Sequence, residues 1–161
     1  MKSRIFPLLV VSISMVACAP DTLQSTFEKD ERNNGVDYIN IIHIEENELY
    51  GLVVHTSWSE DYIQNKDHAS ISVYHKVKGK WTRSPGTSCG STGAYSKMGI
   101  RNGLFLYCGI IAEEPPYVPY VKITIGETEA SIFEVTENIK IWYAVVNSMD
   151  LKMVGSYTTG D

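Results

Sequence analysis

Gly86-Thr87-Ser88-Cys89-Gly90 carries the G-x-S-x-G spacing of a hydrolase nucleophile elbow, where a strained strand-to-helix turn exposes the serine hydroxyl. In that arrangement the histidine follows the serine along the chain, whereas His43, His55, His68 and His75 all precede Ser88. Ser91-Thr92-Gly93 is also poor helix material. The segment therefore reads as a glycine-rich loop, and a triad in another chain order has no local signature to support it. The histidines raise the question of metal, since His43 and His55 lie on neighbouring candidate strands. A zinc centre needs at least three protein ligands at short range, and the chain has no H-x-H, H-E-x-x-H or C-x-x-C pattern. His75 falls on the apolar face of its strand, where a hydrogen-bonded core histidine is expected. No catalytic residue, metal ligand or cofactor is assigned.

Two other groups of residues invite chemistry. Cys89 and Cys108 are the pair left once Cys18 is set aside, and an even remainder in an exported chain predicts a disulfide between them. A loop of that size contributes about 3 kcal/mol in the chain-entropy account, and two buried free thiols are the alternative. Glu113-Glu114-Pro115-Pro116-Tyr117-Val118-Pro119-Tyr120 combines stiffness, two carboxylates and two rings. Proline lowers the ordering cost of binding and tyrosine supplies amphipathic contact area, so Tyr117 and Tyr120 are candidate binding residues. Trp58-Ser59-Glu60-Asp61-Tyr62 reads as a second acidic, aromatic loop, which adds Trp58 and Tyr62. The alternative for both is a plain connection between strands.

The elements that must position these residues read as β-strands. Ten tyrosines, three tryptophans and many branched residues fit a pleated, half-buried surface. Tyr38 to Ile44 and Leu49 to Thr56 are β-rich runs separated by a polar interval of hairpin length. Ala69 to Val77 alternates, with Ile71, Val73, His75 and Val77 on one face and Ser70, Ser72, Tyr74 and Lys76 on the other. Lys78-Gly79 turns the chain into a short strand at Trp81. Asn102-Gly103 is a type I′ signal leading into Leu104 to Ile111, which would place Cys108 opposite Lys97. Tyr120 to Ile125, Ala130 to Val135 and Ile139 to Val146 read as a meander, followed by a short strand near Leu151 to Tyr157. The expected fold class is all-β, an antiparallel sandwich or barrel of about eight to ten short strands.

The first residues carry an address. Lys2 and Arg4 precede thirteen nearly uncharged residues, Ile5 to Ala17, the layout of a signal peptide. A spanning helix would need roughly 18 or more apolar residues, and this run contains Pro7, Ser12 and Ser14. Met15-Val16-Ala17-Cys18 resembles the lipobox of bacterial lipoproteins, with an apolar residue at −3 and a small one at −1. The resemblance covers about the first 20 residues. It implies cleavage before Cys18 and a diacylglycerol on that cysteine, whose acyl chains, palmitate for example, hold by about 0.8 kcal/mol per buried methylene.

That layout predicts a signal peptide over 1–17, a lipidated cysteine and flexible tether over 18–37, and one β domain over 38–161. The tether follows from the polar run 19–36, where Asp30 to Gly35 shows no apolar period. Removing Lys2 and Arg4 leaves 12 basic against 19 acidic residues, a net −7, which argues against a nucleic-acid partner. The expected protein is a non-enzymatic, membrane-anchored module facing outside the cytoplasm, on the outer membrane in a Gram-negative cell. Its partners are the membrane and either an envelope protein or a small ligand. An envelope hydrolase or a structural component of an envelope complex are the alternatives.

Overall fold

A computed structural model describes residues 21–60, 68–85, 89, 94–112 and 120–157. It is all-β in class, with one helix, α1 (Leu23–Asn33), and eleven strands among the described residues. Four strands form a front sheet in simple up-and-down order: β1 (Tyr38–Glu46), β2 (Gly51–Trp58), β3 (Ala69–Val77) and β4 (Lys80–Arg83). A central sheet has the order β5 (Ser96–Gly99), β6 (Phe105–Ala112), β10 (Ile139–Val146), β9 (Ser131–Thr136). A back sheet has the order β11 (Met153–Tyr157), β7 (Tyr120–Ile125), β8 (Thr128–Glu129). All three are antiparallel and open, so the sandwich expectation holds and the barrel does not.

Three apolar clusters stack these pieces into layers. Leu52, Val54, Ile71 and Val73 of the front sheet meet Leu106, Cys108, Ile141 and Tyr143 of the central sheet. The other face of the central sheet, with Tyr107, Ile111 and Trp142, packs on Ile123 and Ile125 of the back sheet. The outer face of the front sheet, with Val53, Tyr74 and Trp81, is covered by Leu23 and Phe27 of α1. The central sheet is therefore buried on both faces, which explains why β6 and β10 read as near-continuous apolar runs rather than alternating ones.

The helix corrects the expected tether. Its buried stripe is Leu23, Phe27 and Glu31, spaced by four, so the third position of the inward face is a carboxylate. Two apolar residues do not make a visible period, yet start and stop signals are present. Thr22 caps the first turn by accepting from the Ser25 N–H at 3.1 Å. Gly35, at φ +79°, ends the helix, with the Gly35 and Val36 amides returning to the carbonyls of Arg32 and Glu31. Gly51 makes the docking possible, because a Cβ there would lie 2.5 Å from Leu23 Cδ2.

Other local expectations fare unevenly. Lys78-Gly79 and Asn102-Gly103 both adopt positive φ, as hairpin turns of primed type require. The second hairpin closes at Ile100, whose N–H donates to the Leu104 carbonyl, one residue earlier than a two-residue turn. Cys108 consequently faces Ser96 and not Lys97. The expected terminal meander is also corrected: β10 pairs with β6 as well as β9, while β7 belongs to the back sheet. The chain changes sheets at Ala130, between β8 and β9, where the Ala130 N–H donates to the Ile123 carbonyl.

Trp142 and Gly109 are directly paired across β10 and β6. A Cβ on Gly109, which is itself buried, would meet Trp142 Nε1 at 2.7 Å and the Ala94 carbonyl at 2.9 Å. Gly109→Ala is expected to lower stability by about 1–3 kcal/mol through overpacking. Gly99→Ala is the control, since a Cβ there meets only Phe105, at 3.9 Å. Urea unfolding of the two variants should separate them clearly, and equal midpoints would contradict the assigned packing of Trp142.

Candidate functional site

Chemistry-bearing side chains gather in three places, and the first is under α1. Period-two alternation sends Val53 and His55 of β2, and Ser72 and Tyr74 of β3, to the outer face of the front sheet. The sequence reading set Ser70, Ser72, Tyr74 and Lys76 on the face opposite the apolar one, and α1 covers Ser72 and Tyr74 of that face. Glu31 reaches down from the helix and its Oε1 accepts from Arg83 Nη1 at 2.6 Å, while its Oε2 accepts from the Ser57 hydroxyl at 2.8 Å. Arg83 Nη2 donates to Ser72 Oγ at 2.8 Å, and the Tyr74 hydroxyl donates to Asp30 at 3.1 Å. Burial pushes the Tyr74 phenol well above its ordinary value.

His55 completes this network. Its Nε2 lies 3.0 Å from Ser72 Oγ, and its ring packs on Phe27 with centroids 4.6 Å apart. Its Nδ1 is buried without a hydrogen-bond partner among the described residues, whichever ring nitrogen carries the proton. Burial lowers its pKa from 6.5 to about 4, helped by the Arg83 cation and opposed by the Glu31 carboxylate. A hydroxyl and an imidazole at 3.0 Å have the spacing of a nucleophile and its base. Ser72 is only 2% exposed and already receives the Arg83 guanidinium, so in this arrangement the pair is sealed beneath the helix. Sequence reasoning missed this pair. It placed the core histidine at His75, which is instead half-buried and lies 3.0 Å from Ser84 Oγ through Nδ1.

The second cluster sits where β1 meets β9. A bulge between Ile41 and His43 shifts the phase of β1 by one residue, turning His43 and Glu45 toward the central sheet. Glu45 accepts from the hydroxyls of Tyr50 and Tyr143, both at 2.6 Å. Burial and this carboxylate raise the Tyr50 phenol to about 12, and raise Tyr143 further for the same reasons. The His43 ring stacks on Phe133 at 4.4 Å, so His43 and His55, adjacent in the sheet, serve opposite faces and do not converge. Among the described residues no group of three His, Cys, Asp or Glu side chains could hold a metal ion.

The third cluster is at the open end of the front sheet. Trp58 ends β2 rather than opening a loop, and its ring stacks on Tyr38 at 5.3 Å and 13°. Tyr38 is 45% exposed, its hydroxyl lies 3.4 Å from Glu60, and the Glu60 N–H donates to Asp37 at 3.0 Å. Elsewhere, a cleft of about 430 Å³ runs between α1 and β4, lined by Asp30, Asn33, Asn34, Trp81, Thr82 and Arg83. Amides, a hydroxyl and charges of both signs suit a small polar ligand.

Of the other expected site residues, Cys89 is bonded to Cys108 at a Cα separation of 5.1 Å, joining the chain before β5 to the centre of β6. Tyr120 is the first residue of β7, paired with Tyr157. Cys18, Tyr62 and Tyr117 lie outside the described residues, as does Ser88. Among the described residues no helix is long and apolar enough to cross a membrane. No protein-family model, curated protein or solved structure matches the chain.

Proposed function

We propose that the chain is a lipid-anchored, extracytoplasmic binding module, held on a membrane through diacylglycerol on Cys18 and contacting an envelope partner through the Tyr38–Trp58 end of the front sheet. The observation that carries the recognition site is the stacked pair of exposed Tyr38 and half-buried Trp58, flanked by Asp37 and Glu60. Exposed rings are enriched where proteins recognise partners, and stacked rings are already ordered before contact. Carboxylates around them favour a basic or sugar-like surface. The signal-peptide layout and lipobox support the anchor, and the net acidity of the mature chain fits a partner other than nucleic acid.

A Tyr38→Ala, Trp58→Ala double variant tests the reading. Both side chains lie at the open end of the sheet, outside the buried clusters, so melting is expected to change little. Capture of envelope partners by detergent-solubilised, anchor-bearing protein is expected to fall sharply. Capture equal to wild type in a folded variant would remove this end of the sheet from the interface.

A further inference from the structure

The two ends of the front sheet differ in chemistry, and the helix shows which of them the anchor approaches. Leu23, the first helical residue, packs beside Gly51 at the start of β2 and Trp81 at the start of β4. These residues directly follow the β1–β2 turn and the β3–β4 hairpin, so both turn tips share the end of the sheet from which the chain enters α1. From Cys18 to Leu23 is five Cα steps, which reach at most about 18 Å when fully extended. A helix in place of the expected tether therefore shortens the leash to a few residues.

That end presents exposed aliphatic and basic side chains. Leu49 on one tip is 48% exposed and Val77 beside the other is 41% exposed. Lys76, Lys78 and Lys80 surround Val77. Lys76 pairs with Glu46 at 3.3 Å and lies 4.5 Å from the Trp81 ring centroid, while Lys78 and Lys80 enter no ion pair among the described residues. Glu48 is the other acidic residue in these turns, and exposed Asp21 lies two residues before Leu23. Within the two turns the balance is one positive charge, against −7 for the chain from Cys18 on, with two protruding apolar side chains.

We propose that this end of the front sheet rests on an anionic bilayer surface, with Leu49 and Val77 at the headgroup boundary and Lys78 and Lys80 against acidic headgroups. The inference rests on the anchoring reading above. The rest of the acidic chain is repelled by such a surface, so the orientation is selected as well as permitted. The attraction acts within a Debye length, about 8 Å at physiological salt, and a leash this short keeps the lysines near that layer. Strand β2 rises about 3.4 Å per residue, which carries the Tyr38–Trp58 pair more than 20 Å away from the bilayer. The recognition end then faces outward.

Amine acetylation read by mass spectrometry tests the orientation on the full, anchor-bearing protein. Lys78 and Lys80 are expected to react several-fold more slowly in vesicles of phosphatidylglycerol and phosphatidylcholine than in neutral detergent micelles. Exposed Lys29 and Lys152 should react equally in both. In a Lys78→Glu, Lys80→Glu variant, whose changes are on exposed side chains, any slowing at Lys76 should disappear. Unprotected Lys78 and Lys80 in protein whose mass includes the diacylglycerol would overturn the orientation and leave the anchor standing. A chain lacking that mass would overturn both.

Discussion

An Arg83→Met variant is expected to lose about 3 kcal/mol of stability, because it strands the Glu31 carboxylate beneath α1. That carboxylate has a side chain 6% exposed and two partners, Arg83 at 2.6 Å and the Ser57 hydroxyl at 2.8 Å. Removing one member of a buried pair costs about 3–5 kcal/mol, and the 28% exposure of Arg83 places the expectation at the lower end. The converse change, Glu31→Leu, should cost less, since the freed guanidinium can turn toward water. The double variant should recover most of the loss, because apolar replacements of both partners remove the desolvation penalty together with the attraction. Urea midpoints at constant slope give the three values. A single-variant loss under about 1 kcal/mol would mean that the pair behaves as an exposed one and that Leu23 and Phe27 alone hold the helix.

The strands were legible where local chemistry settles them. Lys78-Gly79 and Asn102-Gly103 marked turns because few other residue pairs accept two positive φ values in succession. β3 alternates in the sequence and in the fold, yet its polar face carries Ser72 and Tyr74 under a helix that periodicity did not reveal. The reason is that α1 is held partly by ionic contacts. A helix whose inward stripe is Leu23, Phe27 and Glu31 looks polar throughout, and only its caps at Thr22 and Gly35 betray it.

The clusters of side chains were less legible because they depend on non-local pairings. His55 and Ser72 are 17 residues apart and meet through the register of β2 on β3. Tyr38 and Trp58 face each other because the first pair of the β1–β2 ladder joins the two far ends of a hairpin. Glu45 reaches Tyr143, 98 residues away, only because one bulged residue in β1 reverses the direction of every side chain that follows. The Cys89–Cys108 bond was reached by elimination, which works when two cysteines remain.

Acidification should weaken the fold through His55, and the sign follows from its burial. Its pKa in the folded chain is about 4, against 6.5 for the free side chain, so between those values the unfolded chain binds more protons than the folded one. The neutral, buried form is therefore fully stabilising above about pH 6.5. That contribution declines as the pH falls through the window and is lost below about 4. A depression of this size corresponds to about 3 kcal/mol, the cost of placing a charge between Phe27, Ser72 and the Arg83 cation, relieved in part by Glu31. A His55→Leu variant removes the titration and leaves Ser72 with Arg83. It should be less stable than wild type at pH 7.5 but lose less on acidification to pH 4.5, so the two stability curves converge. Carboxylates that titrate in the same range are common to both proteins and cancel in the difference. Parallel curves from pH 7.5 to 4.5 would show that the imidazole takes up its proton inside the folded chain, for instance by lifting α1, without a penalty.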